Sequence, residues 1–410
     1  MAKSPPPSTW LQRYRLPLML LAGSFVVFCV FSGPRLFHQS FAPHFVYQAD
    51  AFLHGQLALT VQPPNYEDWA RVGNSWYVSF PPFPAVLMMP FVAIAGFQLN
   101  DVLFTVFFAA LNVALFFIVL ERLREMGDSA RSQRENAILA LLFAFGSVNF
   151  YCSLRGEVWF TAEVIGVTLT CLYLLSAYRA EHPALAGFFF GAATLTRTPL
   201  LFSGIYFVLE LLMPNGKWEP EELRRRQPEL VRKGLEFLAP AVALGIPMAL
   251  MNYVRFGSFT DFGHGHLFNN RVNADIQRWG LFNYHYLERN LHAAFTRLPV
   301  LDAQPGHFPI GFDFDGMSLF VTTPLFIMLL WPMVKPRLHR LLWATVGLVA
   351  VPGFFYQNTG WRQFGFRFSL DYTPYLFMLL AIGGRRFSGW FWFLGLAGLV
   401  VGIWGAIAFN

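Results

Sequence analysis

The sequence predicts an all-α polytopic membrane protein. Of its 410 residues 55% are hydrophobic and only 13% are charged, and apolar runs recur from one end to the other. Ordinary soluble domains carry about 25% charged residues, and a spanning helix needs about 20 mostly apolar ones, ~17 at the minimum. Eleven runs are candidates: 16–33, 101–121, 136–153, 159–178, 183–196, 199–213, 235–254, 317–334, 341–356, 371–384 and 388–408. One membrane domain over 1–410 is expected, with larger outer loops at 34–100 and 255–316.

The first run, 16–33, follows Lys3, Arg13 and Arg15. It is long for a signal-peptide core and no A-x-A-like site follows it, so it reads as a retained span. The next loop predicts a helix from about Pro43 to Leu57, then Pro63-Pro64, then a hairpin in which Trp69 to Val72 and Ser75 to Phe80 flank Gly73-Asn74. The run 81–97 holds four prolines and reads as an interfacial or re-entrant helix. Counting it as a span would put Arg122, Arg124, Arg131 and Arg134 outside, against the positive-inside bias. The short runs 183–196 and 199–213 could be two half-buried helices meeting at Arg197 and Thr198. In the second loop, 280–297 reads as an amphipathic stretch with Arg289 and Arg297.

With the amino terminus in the cytosol and the carboxyl terminus outside, 19 of the 30 basic residues fall in cytosolic segments. An isoelectric point near 9.3 therefore reflects membrane orientation, and no nucleic-acid partner is expected. The 47 Phe and 12 Trp suit lipid-facing and interfacial positions. Cys29, Cys152 and Cys171 give neither metal spacing nor a disulfide framework. Neither a P-loop, a G-x-G-x-x-G unit nor a nucleophile elbow is present. The polar residues that need explaining gather on one side, in the two outer loops and the span ends beside them.

His44, Tyr47, Asp50 and His54 recur at offsets of three, three and four, roughly one helical face. Asp50 is the only carboxylate between the first span and Glu67, and such a group could take a proton from an attacking hydroxyl. The same spacing suits a solvated face of a surface helix, which the residues alone favour. Arg197, stranded between apolar runs, suits either a paired functional arginine at membrane depth or a side chain snorkelling to the interface. Arg155 and Glu157 could form a local ion pair, while Glu163, a turn into its span, could be an arginine's internal partner. Arg362, Arg367 and Asp371 stand at the outer mouth of two spans. Guanidinium groups there suit a phosphate, bound in fork geometry, or an aromatic belt on which they stack. Asp313 and Asp315 could hold a divalent metal through oxygen ligands, though a Gly-bounded turn is preferred; no cofactor is expected.

In order along the chain, several strings resemble the C-type integral membrane glycosyltransferases (GT-C), in the bacterial branch of protein O-mannosyltransferases and lipid A aminoarabinose transferases. These are Tyr47 to Gly55, Pro81-Pro82 with the run to Gly96, GAATLTRTPLLF at 191–202, and RFSLDYTPYLFMLLA at 367–381. The family opens its first-loop helix with an Asp-Glu pair four residues before the Tyr; here Pro43-His44 stands in that place. The resemblance implies sugar transfer, with inversion, from a polyprenyl-phosphate donor to a lipid, glycan or protein acceptor at the outer face of a bacterial inner membrane. It implies Asp50 as general base, or His44 in its stead, and Arg197, Arg367 and Arg362 on the donor phosphate. Tyr47, Arg155, Glu157 and Glu163 would line the substrate cavity. A transporter or flippase is the alternative, but it would favour internal repeats and midplane charges, and the sequence shows no repeat. A ligase using a lipid-diphosphate donor is a further alternative.

Overall fold

The computed structural model describes residues 10–268, 270–301 and 310–409; Lys3 and the proline-rich start lie outside the described residues. Helix α1 (Trp10–Ser32) ends in a 3-10 turn, Gly33–Phe37. The first outer loop holds α2 (His44–Leu53), strands β1 (Trp69–Val72) and β2 (Ser75–Val78), and α3 (Phe83–Ala95). The strands pair antiparallel with Val72 opposite Ser75, and Gly73 takes the positive φ, 58°, that a Gly-first two-residue turn uses. With 13 residues α3 is about 20 Å long, too short to span. It buries Pro84, Ala85, Met88 and Val92 and exposes Val86, Phe91 and Ile94, as a helix lying along an interface would.

Next come α4 (Asp101–Glu125), α5 (Gln133–Phe145), α6 (Asn149–Ser153) and α7 (Val158–Ala177). The Asn100 side chain caps α4, and Ser132 with Glu135 forms a capping box on α5. Then follow α8 (Pro183–Thr194), a 3-10 segment Thr198–Ser203, α9 (Gly204–Leu212), α10 (Pro220–Arg225) and α11 (Gln227–Phe256). The second outer loop contains α12 (Asn270–Trp279), α13 (Leu287–Leu291) running into a π-turn, and the short pair β3 (Val300–Leu301) and β4 (Ile310–Gly311). The chain closes with α14 (Leu319–Thr322), a 3-10 segment Pro324–Leu330, α15 (Leu338–Phe355), a 3-10 turn Arg367–Asp371, α16 (Thr373–Ile382) and α17 (Gly389–Ala408).

Among the described residues six helices, at α1, α4, α7, α11, α15 and α17, are long and apolar enough to cross a membrane. The other five expected spans are shorter or broken, for local reasons. Run 136–153 stops at Gly146, where Ser147 bonds back to the Phe143 carbonyl. Prolines 199, 324 and 374 lack an N–H and disfavour helix in the residue before them, so 199–213, 317–334 and 371–384 begin as 3-10 turns or short helices. Short elements persist at membrane depth where protein encloses them, and every residue of α16 is buried.

Helix α7 is the axis of the bundle: 83% of its apolar window is buried, against 11% for α11. Between α4 and α7 the polar groups satisfy one another. The Asn112 amide donates to the Val164 carbonyl at 2.9 Å, Thr168 donates back to Asn112 at 2.5 Å, and the Thr105 and Thr161 hydroxyls meet at 2.7 Å. Helix α11 is held chiefly by α8, whose Gly187 and Gly191 face Phe237 to Leu244. A Cβ on Gly187 would stand 1.9 Å from the Phe237 carbonyl oxygen, the close backbone approach that small residues allow between membrane helices.

The two ends of the bundle are distinct. Asn100 donates to the Leu36 carbonyl and Arg155 to that of Phe409, so the end of α1, the starts of α4 and α7 and the end of α17 share one end with the first outer loop. At the other end Arg337 chelates Asp128 and Glu210, at 2.7 and 2.6 Å, joining the α4–α5 loop, α9 and the start of α15.

Candidate functional site

At the outer-loop end, four charged side chains from three separate stretches interlock. Arg197, between α8 and the following 3-10 segment, grips Asp371 in bidentate fashion: Nε donates to Oδ1 at 3.0 Å and Nη2 to Oδ2 at 2.7 Å. Its Nη1 lies 3.9 Å from Oε1 of Glu163 on α7. That same Oε1 accepts from Nη1 of Arg367 at 2.8 Å, while Arg367 Nε and Nη2 donate to the Gly360 carbonyl at 3.1 and 2.7 Å. The Phe368 ring lies 5.4 Å from the Arg197 guanidinium and 5.0 Å from that of Arg367. Two guanidiniums against two carboxylates make the cluster neutral. All four side chains are largely buried, so their partners take the place of the water each has lost.

The first outer loop brings a third carboxylate alongside. Asp68 precedes β1 with a positive φ of 57°, and its Oδ2 accepts from the Trp159 indole N–H at 3.0 Å. Burial raises the Asp68 carboxyl above the ordinary carboxylate range; the Trp159 hydrogen bond opposes this, Glu67 adds to it, and the Arg367 charge opposes it. Aromatic rings wall this region in sequence: His44 to Phe80 at 5.8 Å, Phe80 to His264 at 6.0 Å, His264 to Tyr356 at 6.3 Å and Tyr356 to Phe368 at 5.9 Å between centroids.

His44 is fully enclosed and stacks on Trp69 at 3.7 Å. Its Nε2–H donates to the Glu67 carbonyl at 3.0 Å, leaving Nδ1 without a hydrogen-bond partner among the described residues. Burial lowers its pKa to about 4, so the ring is neutral at pH 7 and a weak base. Asp50 stands elsewhere on α2. It accepts from the Thr60 hydroxyl and lies 3.6 Å from His54 Nδ1, and none of its described contacts reaches the arginines. Tyr47 packs on Trp69 and Phe97. Arg155 and Glu157 pair with each other at 2.8 Å, beside the Phe409 carbonyl. Arg362 is exposed, with no described contact to the cluster. Asp313 and Asp315 pair with Arg297 at 2.9 and 3.4 Å, and among the described residues no group of three possible metal ligands forms.

Arg197, Glu163, Arg367 and Asp371 are thus brought together, while Asp50 and Arg362 are not among them. Asp68 and Arg255 were not singled out from the sequence. Arg255 is buried at the C-terminal end of α11, donating to the Val78 carbonyl at 2.9 Å and to Asn252 at 2.7 Å. No carboxylate lies within ion-pair distance of it among the described residues. The legible signal was the Glu67-Asp68 pair ahead of the hairpin; for Arg255, only its place at the close of an apolar run.

No family model matches the chain, and no curated protein matches it in sequence. In three dimensions it is similar to ArnT from Cupriavidus metallidurans bound to undecaprenyl phosphate, at 13% identity and a TM-score of 0.52, covering 95% of this chain and 63% of that one. It is similar also to archaeal oligosaccharyltransferase AglB from Archaeoglobus fulgidus in complex with an inhibitory peptide and a dolichol-phosphate, at 11% identity and a TM-score of 0.52, over 98% of this chain and 56% of that one. The apo form of the Archaeoglobus fulgidus oligosaccharyltransferase gives 13% identity and a TM-score of 0.50, over 98% and 56%. The chain spans about six-tenths of the length of these proteins. At such identities the likeness is one of fold, and it is the fold that the resemblance in the sequence implied.

Proposed function

We propose that the chain is a membrane glycosyltransferase that moves a sugar from a polyprenyl-phosphate donor to an acceptor hydroxyl at the outer face of the membrane. The observation that carries this reading is the convergence of Asp68, Glu163, Asp371, Arg197 and Arg367 at one end of a bundle with this fold. A proton acceptor beside guanidiniums is what the reaction needs. The acceptor oxygen attacks the anomeric carbon as its proton passes to a carboxylate. The bond from that carbon to the phosphate oxygen breaks, and its electron pair leaves with the lipid phosphate, whose charge the arginines hold. A single displacement inverts the anomeric centre.

Of the two aspartates in the first outer loop, Asp68 suits the base better than Asp50. Its environment favours the proton-bound form, and Arg367 acts on it. The fold also lays Glu67-Asp68 against His44, the residue that occupies the place of the family's acid pair. On the phosphate, Arg197 and Arg367 are assigned first, and Arg255 adds a charge with no carboxylate within ion-pair distance among the described residues. Arg362, being exposed, is assigned no more than the rim. A flippase would not need a proton acceptor beside the arginines.

Undecaprenyl phosphate is the direct probe. In native mass spectrometry or a thermal-shift titration it should bind and stabilise the protein, undecaprenol should not, and Arg255→Ala should weaken binding by about tenfold or more, the scale of one charge-assisted hydrogen bond. Equal binding of the alcohol would remove the phosphate site, and preference for the diphosphate would favour the ligase. Orientation follows from the same reading. A single cysteine at the exposed Tyr284 should react with an impermeant thiol reagent in intact cells, and one at Arg225 only after lysis; the reverse pattern would place the cluster in the cytosol.

A further inference from the structure

At the end of the bundle opposite the polar cluster lies a shallow open groove between α15, α16 and α17. Leu329, Trp343 and Phe391 are among its apolar lining, and Arg131, His339 and Arg385 make up its polar lining. Nothing in the proposed reaction uses it.

Arg131 is buried, with 8% of its surface exposed. Its guanidinium is held over the Phe387 ring at 4.7 Å, by Glu135 at 3.2 Å, and by the Leu380 and Arg385 carbonyls. Its Nε–H has no partner among the described residues. Glu135, the one acid at the site among the described residues, is already consumed, because its Oε2 also accepts from the backbone and hydroxyl of Ser132. Arg385 anchors Nε on the Trp331 carbonyl, and its terminal nitrogens have no described partner. Lys335, Arg340 and Arg386 flank the same mouth in sequence, exposed and without described carboxylate partners. Trp331, Trp343, Trp390 and Trp392 are all exposed at this end, the belt that tryptophans form at a membrane–water boundary.

We infer that this groove binds an anionic phospholipid. Its phosphate would meet Arg385, His339 and the free Nε–H of Arg131, and one acyl chain would lie along Leu329, Trp343 and Phe391. Charge selects the occupant. The site carries an excess of guanidinium and ammonium groups over its single engaged carboxylate, and basic pockets between membrane helices at headgroup depth recognise anionic lipids in this way. A zwitterionic headgroup would bring its own cation into that field. The inference does not depend on the transferase reading.

The purified protein in nanodiscs of phosphatidylcholine, with and without phosphatidylglycerol, provides the test. Phosphatidylglycerol should raise the melting temperature and survive as a bound adduct in native mass spectrometry. In the double variant Arg385→Ala/His339→Ala its retention should fall about tenfold or more, while the melting temperature in pure phosphatidylcholine stays unchanged. Equal stabilisation by the two lipids, or full retention by the double variant, would overturn the proposal. Stabilisation by inorganic phosphate equal to that by phosphatidylglycerol would overturn it too, because the groove would then play no part. If the double variant melts early in phosphatidylcholine, Trp343→Asp, which charges the acyl path and leaves the basic groups intact, must still abolish retention for the proposal to stand.

Discussion

Asp68→Asn should abolish most sugar transfer while leaving the protein folded. Asparagine keeps the size of the side chain and an oxygen to accept the Trp159 indole N–H, so the hairpin should hold its place. What is lost is a group able to take the acceptor's proton, and general-base catalysis contributes roughly 10²–10⁴-fold. Transfer should therefore fall at least a hundredfold, with donor binding and melting temperature near those of the unaltered protein. The pH profile is a second readout. Because burial raises the Asp68 carboxyl, the acid limb of kcat/KM should lie above the ordinary aspartate value of about 3.9. Activity should rise with pH through that limb as the base ionises, and the limb should vanish in the variant. Asp50→Asn and His44→Gln are the comparisons. A loss of transfer with Asp50→Asn and not with Asp68→Asn would return the base to α2. It would leave the charge cluster as a phosphate site alone.

What could be read in the sequence, and what could not, divides along a physical line. The hairpin was legible because alternation and a Gly-first turn are local, and the structure places β1 and β2 on either side of Gly73-Asn74. The long spans were legible because twenty apolar residues need no context. Short spans were less so: whether 371–384 crosses a membrane depends on what shields it, and α16 is shielded on every side. The site itself rests on contacts far apart in the chain. Arg197 and Asp371 stand 174 residues apart, and Arg367 and Glu163 204. That Arg197 was out of place between apolar runs, and that Arg367 stood among aromatics at a span mouth, could be seen, but not which acid each would meet. The choice between Asp50 and Asp68 turned on the hairpin folding back over α2. Helical spacing put Asp50 beside Tyr47; only the tertiary fold puts Asp68 beside Trp159.

The buried ion pairs give the second large effect. Arg367→Ala should destabilise the protein outright, because Glu163 has no exposed side-chain surface and would keep only the weak Cys152 thiol donor at 3.5 Å and Arg197 at 3.9 Å. Removing one partner of a buried pair typically costs about 3–5 kcal/mol, since the charge left behind has neither water nor a counter-ion. A loss of that size would take much of the margin of a typical domain, about 5–15 kcal/mol. The variant should therefore show a lower yield of monodisperse protein and a markedly lower melting temperature. Glu163→Gln alone should cost less, because an amide still accepts from Arg367 and carries no charge. The decisive measurement is the pair together. If the arginine acts through Glu163, Arg367→Ala/Glu163→Gln should recover more than half of the stability lost in Arg367→Ala, a coupling of roughly 2 kcal/mol or more, within the range seen for residues in direct contact. The recovered protein then separates the two roles of Arg367. Restored stability with donor binding still absent would place the guanidinium on the phosphate as well as on Glu163. Full recovery of both would reduce it to a structural counter-ion. An Arg367→Ala variant that melts like the unaltered protein would show that Glu163 is not charged in the folded state, and that the cluster is not held together by buried ion pairs.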